Sequence, residues 1–157
     1  MDSFLQDFRI GRHISILYRH GQCFMNMKMT KYGLGSGQYT FLLYLYGNDG
    51  ISQDELSKAL DIDKATTARA IARLEQEKYV KRDSDPSDKR INRIFLTDKS
   101  LELKSEIIEI TNEWKKIILK DIDKNSQEQL KLLMEQMTEN ASEYKKAMCI
   151  RGEKNEK

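Results

Sequence analysis

A mainly α-helical fold carrying one small β-hairpin is what this sequence predicts, and three observations predict it. The first is composition: one proline and eight glycines in 157 residues leave few places where helices must break. The second is periodicity, because apolar residues recur at helical spacing over most of the chain. The third is one segment, Ile51 to Thr97, in which two short helical patterns flank a three-residue turn. Two β-branched runs around a charged loop follow them.

The first helix is expected from about Ser3 to Lys28, with Phe4, Phe8, Ile14, Leu17, Phe24 and Met27 as its apolar positions. Lys31 to Gly35 reads as a loop. Ser36 is placed to cap a second helix through Tyr46, with Tyr39, Leu42, Leu43 and Tyr46 available to a core. Gly47-Asn48-Asp49-Gly50 closes that helix as a turn. Ser52-Gln53-Asp54-Glu55 matches a capping box, in which serine and glutamate side chains each take the other's backbone amide. The short helix it opens has Leu56 and Leu60 on its inner face, with Ala59 leaving room for a neighbour.

Asp61-Ile62-Asp63 is the turn, and Asp63 caps the next helix, a contribution of about 1 kcal/mol relative to alanine. That helix has Thr67, Ile71 and Leu74 on one stripe and Thr66, Arg69 and Arg73 on the other. Tyr79–Asp83 and Asn92–Leu96 then read as hairpin strands around SDPSDKR. Beyond Thr97 a long helix is expected over Leu101–Asp121. A second capping box at Ser126-Gln127-Glu128-Gln129 opens a last helix bearing Leu130, Leu133, Met137, Ala141, Tyr144 and Met148, and the final GEKNEK is expected to fray.

The net charge of +2 conceals a division. Residues 64–93 hold nine Lys or Arg against five Asp or Glu, whereas residues 34–63 hold one Lys against five acids. Positive charge therefore gathers where a polyanion could use it. No apolar stretch has the length of a membrane span, and the N-terminal twenty residues lack the uninterrupted apolar core of a secretory signal. Two distant cysteines, Cys23 and Cys149, fit a reducing cytoplasm better than a disulfide framework. Gly-rich phosphate loops, HExxH and Gly-x-Ser-x-Gly are absent, so no enzyme is expected.

Two helices joined by a short turn and followed by a hairpin make a winged helix-turn-helix. A helix that reads the major groove of double-stranded DNA needs a polar N-terminal half and an apolar back. Lys64, Thr66, Thr67 and Arg69 occupy that half, with Thr67 open to an inward placement, and Arg73 follows one turn later to reach a phosphate or brace the wing. Lys89 and Arg90 sit at the hairpin tip, where an arginine can enter the electronegative minor groove. Asp88, which phosphates would repel, is better used holding Arg73 or Arg90.

The run DKATTARAIARLEQEKYVKR–DPSDKR–FLT resembles the MarR family of bacterial transcriptional regulators. The resemblance is carried by Arg73-Leu74-Glu75, Val80-Lys81-Arg82, Asp88-Lys89-Arg90 and Leu96-Thr97, and the flanking helices match the family layout. Three positions depart from it: Lys78 stands where glycine is usual, Ala68 where a hydroxyl is frequent, and Ser100 where glycine is frequent. The resemblance implies one MarR-like domain over 1–157, with residues 33–98 as the DNA-binding part and 1–32 and 99–150 as a helical dimerisation part. It implies a homodimer on a pseudo-palindromic operator, with half-sites about one helical turn apart or a multiple of that. Apolar residues near both ends, Phe4, Phe8, Leu130, Leu133, Met137, Tyr144 and Met148, support dimerisation independently; an intramolecular bundle is the alternative.

A repressor released by a small aromatic effector is the function the resemblance implies. The candidate effector pocket draws on His13, Leu17, Tyr39, Tyr44 and Trp114, although aromatic helical stripes are commonly core. His13 and His20 alone are too few for a metal site, and no cofactor is expected. Cys23 offers a redox-responsive alternative through a thiolate, weighed against a buried, inert cysteine. A winged-helix protein-interaction module is the remaining alternative, and it predicts no salt-dependent DNA binding.

Overall fold

The computed structural model describes the backbone of residues 9–155 and the side chains of residues 9–148. Phe4, Phe8 and the Cys149 side chain lie outside the described residues. In chain order the elements are α1 (Arg9–Met29), a 3-10 turn (Thr30–Tyr32), α2 (Tyr39–Leu45), α3 (Gln53–Ala59), α4 (Lys64–Gln76), β1 (Val80–Ser84), β2 (Asn92–Leu96), α5 (Asp98–Ile118) and α6 (Lys124–Asn155). The mainly α fold with one small β-hairpin wing is therefore the observed class. No described helix is long and apolar enough to cross a membrane. The chain divides into two compact units between Lys115 and Lys116.

In the first unit the core does not stop at the winged segment. Met25 and Met29 of α1, Phe41, Leu42 and Leu45 of α2, Ile71 and Leu74 of α4, and Ile107 and Ile110 of α5 belong to one buried cluster. Residues 33–98 consequently have no packing boundary with the helices on either side, because α1 and α5 supply part of the core. The lower-index half of α1 is different: Ile10, Ile14 and Leu17, spaced along one face, remain exposed.

Several boundaries differ from those the sequence predicts. α2 starts at Tyr39 rather than just after Ser36, because two side chains hold the preceding loop amides. Gln38 Oε1 accepts from Gly35 N at 2.8 Å, and Asn26 Oδ1 accepts from Ser36 N at 2.7 Å. Phe41 and Leu45 fill the core that Leu43 and Tyr46 only border. In α3 the residue buried beside Leu56 is Ser57, whose hydroxyl donates to Ile62 O at 2.6 Å across the turn; Ala59 is exposed.

The capping box at α3 is complete, with the Ser52 side chain accepting from Glu55 N and Glu55 accepting from Ser52 N. Hydrogen bonds from the Ser52 hydroxyl and amide hold the Glu55 carboxyl below its usual range. The hairpin is antiparallel with Val80 opposite Leu96 and Ser84 opposite Asn92, one residue later in the first strand than predicted. A third strand-like segment joins it: Ile94 N donates to Ile51 O and Gly50 N donates to Ile94 O, both at 2.9 Å. Gly50 is required there. Its φ is +78°, and an added Cβ would lie 2.9 Å from Phe95 Cε1.

In the second unit α6 opens at Lys124, capped by Asp123, which accepts from Ser126 N at 3.1 Å and from the Ser126 hydroxyl at 2.5 Å. The predicted cap at Ser126 is thus moved three residues earlier: Asp123 holds the Ser126 amide, and the Ser126 hydroxyl donates to that carboxylate instead of capping a later start. The backbone continues helical through Asn155, past the point at Gly152 where fraying is expected. Leu130, Leu133, Met137, Tyr144 and Met148 are all exposed in the single chain.

Candidate nucleic-acid interface

Asp63 ends the turn in extended conformation, and its side chain accepts from Thr66 N at 2.8 Å, so α4 starts at Lys64. That bond holds the Asp63 carboxyl below its usual range. The inner stripe of α4 is Thr67, Ala70, Ile71 and Leu74. Thr67 is 0% exposed. Its expected role in contacting DNA is therefore corrected: the 3.6-residue period turns it into the core, where its hydroxyl has no hydrogen-bond partner.

The outer stripe keeps Lys64, Thr66 and Arg69 together at the N-terminal half. Arg69 Nη2 donates to Thr66 Oγ1 at 2.9 Å, and Lys64 Nζ is paired with Asp54 of α3 at 2.7 Å. Arg73, one turn on, is held by Gln76 and Glu77, each at 3.0 Å, and borders a hollow of about 450 Å³ beside Gly33, Gly35 and Gln38. It braces its own helix end and not the wing.

The wing is braced elsewhere. Arg82 of β1 binds Glu75 of α4 through two donors, which lowers the Glu75 pKa. At the tip, Arg90 is almost fully exposed (91%) and bonds through Nε and Nη2 to Asp88 at 3.1 and 3.0 Å. Asp88 thereby takes the holding position expected of it, with Arg90 rather than Arg73, and the guanidinium keeps its carboxyl below the usual range. Lys89 is exposed beside it. Four cationic or hydroxylic positions on α4 and two cations on the wing are thus presented by elements tied to one core.

The effector candidates divide. Trp114 stacks on Phe24 with ring centroids 5.3 Å apart and closes over Gly21, where a Cβ would meet the indole at 3.4 Å. Tyr39 and Tyr44 pack against the core, whereas His13 and Leu17 are exposed, Leu17 by 52%. Three of the five therefore serve packing, and the other two lie on the solvent side of α1. Cys23 is exposed, which corrects the buried placement weighed for it: the α1 face that carries it points away from Met25 and Met29.

A regulator from Clostridioides difficile (strain CD3), the HTH-type transcriptional regulator BilQ, is 32% identical over 102 residues, 65% of this chain and 69% of that protein. The MarR family model matches residues 32–91, the segment that contains α2 to the wing tip. A MarR transcriptional regulator from Methanosarcina mazei Go1 is 44% identical, covers 85% of this chain and 96% of its own, and superposes with a TM-score of 0.80. The chain belongs to the MarR family of transcriptional regulators. A putative MarR family regulator from Listeria monocytogenes, solved in complex with a 26mer DNA, is 25% identical over 91% of each chain with a TM-score of 0.79.

Within this MarR-family chain, sequence reasoning assigned no site role to Asp54, Glu75, Arg82, Asp85 or Arg93, which hold the site together. Asp85 is 7% exposed and organises the wing loop, accepting from Ser87 N at 2.7 Å and from Asp88 N at 3.3 Å. The signal was present in Asp85-Pro86-Ser87, since a short acidic side chain ahead of a turn characteristically bonds the amide two residues on.

Proposed function

We propose that this chain is a dimeric, DNA-binding transcriptional repressor that a small molecule releases from a pseudo-palindromic operator. The observation that carries the DNA-binding part is the pairing of two cationic surfaces on one compact unit. Lys64, Thr66 and Arg69 line the outer face of α4, and Lys89 and Arg90 crown the wing. An α-helix fits the major groove and a lone arginine suits the narrow minor groove beside it. The Listeria relative solved with DNA supports this reading. Arg73 contributes a phosphate contact at most, given its bonds to Gln76 and Glu77.

Dimerisation is supported by apolar surface with no partner in the single chain: Ile10, Ile14 and Leu17 on α1, and Leu130, Leu133, Met137, Tyr144 and Met148 on α6. A monomer seldom leaves that many large apolar side chains in contiguous stripes. Two copies then hold two reading helices at the spacing of a two-fold operator.

Duplexes selected from random sequence by the purified protein, titrated across salt concentrations, test the proposal. A two-fold symmetric binding sequence and affinity that falls steeply with salt are expected. Arg90→Ala is expected to weaken binding by about 1–3 kcal/mol and lower the salt slope by about one. Binding that ignores salt, or a monomer by sedimentation at micromolar concentration, would overturn the reading. Release of the duplex by aromatic acids or phenols, scored in the same assay, tests the effector.

A further inference from the structure

We propose that Arg93 is the positioning residue of the wing, setting where Arg90 lies relative to α4. The inference rests on the reading that α4 and the wing engage one duplex. Arg93 sits on β2, outside the sequence motif, and its guanidinium joins two separate parts of the fold. Nη1 donates to Gly50 O at 2.9 Å, in the turn that leads into the Ser52 cap of α3, and Nε donates to the Asp85 carboxylate. A backbone bridge between Ser52 and Arg93 fixes the same spot.

Asp85 passes this anchorage on. The strand ladder ends at the Ser84–Asn92 pair, so residues 85–91 lie beyond it. One Asp85 oxygen faces Arg93, while the other accepts the amides of Ser87 and Asp88. Asp88 in turn holds Arg90 by three bonds, from its amide, Nε and Nη2. A continuous run of hydrogen bonds therefore leads from the Gly50 carbonyl, at the entrance to α3, to the exposed guanidinium of Arg90. The Asp85 side chain is only 9% exposed, so its pairing with Arg93 is far less screened than the surface pair at the tip.

Arg93 has no need to touch DNA for this role. Its expected effect is selective: losing the brace should remove the contribution of Arg90 while sparing that of Lys64, which Asp54 and α4 hold independently. A side chain that merely stabilised the fold would weaken both alike.

The test is a double-mutant cycle on the full chain, using the duplex selected by the wild-type protein and fluorescence anisotropy as the readout. Arg90→Ala is expected to weaken binding by about 5- to 150-fold in the wild-type background. In an Arg93→Met background its further effect should shrink to about two-fold or less, whereas Lys64→Ala should cost the same factor in both. Hydroxyl-radical protection of the outer minor grooves should vanish with Arg93→Met and persist with Lys64→Ala. An Arg90→Ala factor that is unchanged in the Arg93→Met background overturns the proposal, as does a wild-type chain in which Arg90→Ala has no effect. Where Arg93→Met fails to fold, Asp85→Asn breaks the same link and is judged by the same criterion. Absence of salt-dependent binding by the wild-type protein would instead reject the DNA-binding reading itself.

Discussion

Asp54 and Lys64 form an ion pair of 2.7 Å that ties the first turn of α3 to the first residue of α4. Both side chains are more than half exposed, 59% and 67%, so the pair contributes roughly 0–1 kcal/mol to stability. Its larger consequence concerns the proposed interface, where it occupies the ammonium at the start of the reading helix and adds a negative charge facing the phosphates. Asp54→Asn is expected to tighten duplex binding about 2- to 10-fold at low salt and to steepen the salt slope by up to about one. Anisotropy titrations at several salt concentrations measure both. Weaker binding by the variant would mean that Asp54 aims Lys64 instead of restraining it.

Thr67 carries a buried hydroxyl without a hydrogen-bond partner, and it faces the core from the first half of α4. An unsatisfied buried hydroxyl costs about 1–3 kcal/mol, and valine has the same branched shape without it. Thr67→Val is therefore expected to raise unfolding free energy by about 1 kcal/mol in urea, with DNA affinity unchanged. A large loss of affinity at unchanged stability would return Thr67 to the interface.

Lys78 adopts the left-handed conformation at φ +62° where α4 ends. Lys78 N donates to Glu75 O at 2.9 Å and Tyr79 N to Leu74 O at 2.8 Å, the paired bonds of a Schellman turn. The glycine expected there by resemblance is thus replaced without losing the turn, at the cost of Cβ crowding. Lys78→Gly should stabilise the protein by about 0.5–1 kcal/mol, and Lys78→Val should destabilise it by at least as much. Denaturant midpoints at constant m-value decide the matter; a destabilised glycine variant would contradict it.

Tyr46 donates its hydroxyl to Ser100 O at 2.8 Å, and burial pushes its pKa from 10.0 up to about 12. Between those values the unfolded phenol ionises while the folded one stays protonated. The native state then holds more protons, so stability falls as pH rises, by about 2 kcal/mol across the window once partial exposure of the ring is allowed for. Below pH 10 the contribution is fully present. Tyr46→Phe should be less stable by about 1 kcal/mol at neutral pH, having lost the bond to Ser100. The variant should nevertheless lose less stability than the wild type between about pH 9 and 12. Parallel slopes for the two proteins would rule out this origin of alkaline sensitivity.

How much of the candidate interface was legible depended on the range of the interaction. The Ser52–Glu55 capping box, the Asp63 cap and the outward face of Lys64, Thr66 and Arg69 all arise within one or two helical turns, and each was readable. Asp88 with Arg90 was readable too, being two residues apart. Arg82 with Glu75 joins the wing to α4, and Arg93 with Asp85 crosses the hairpin. Nothing in local spacing distinguishes those partners from other charges nearby. The effector candidates show the same limit, since Tyr39, Tyr44 and Trp114 were grouped by residue type while packing sets them against the core.

By itself the sequence determined the order of elements, the capped entries of α3 and α4 and the family to which the chain belongs. Those features follow from backbone hydrogen bonding and helical period, which act between near neighbours. Only the tertiary structure decided that Thr67 turns inward, that Arg73 binds its own helix end, and that the wing is fastened through Arg93 and Asp85 to the turn at Gly50. The physical reason is that those outcomes depend on which surfaces meet once α1 and α5 close the core, and a linear pattern of charges does not specify that meeting.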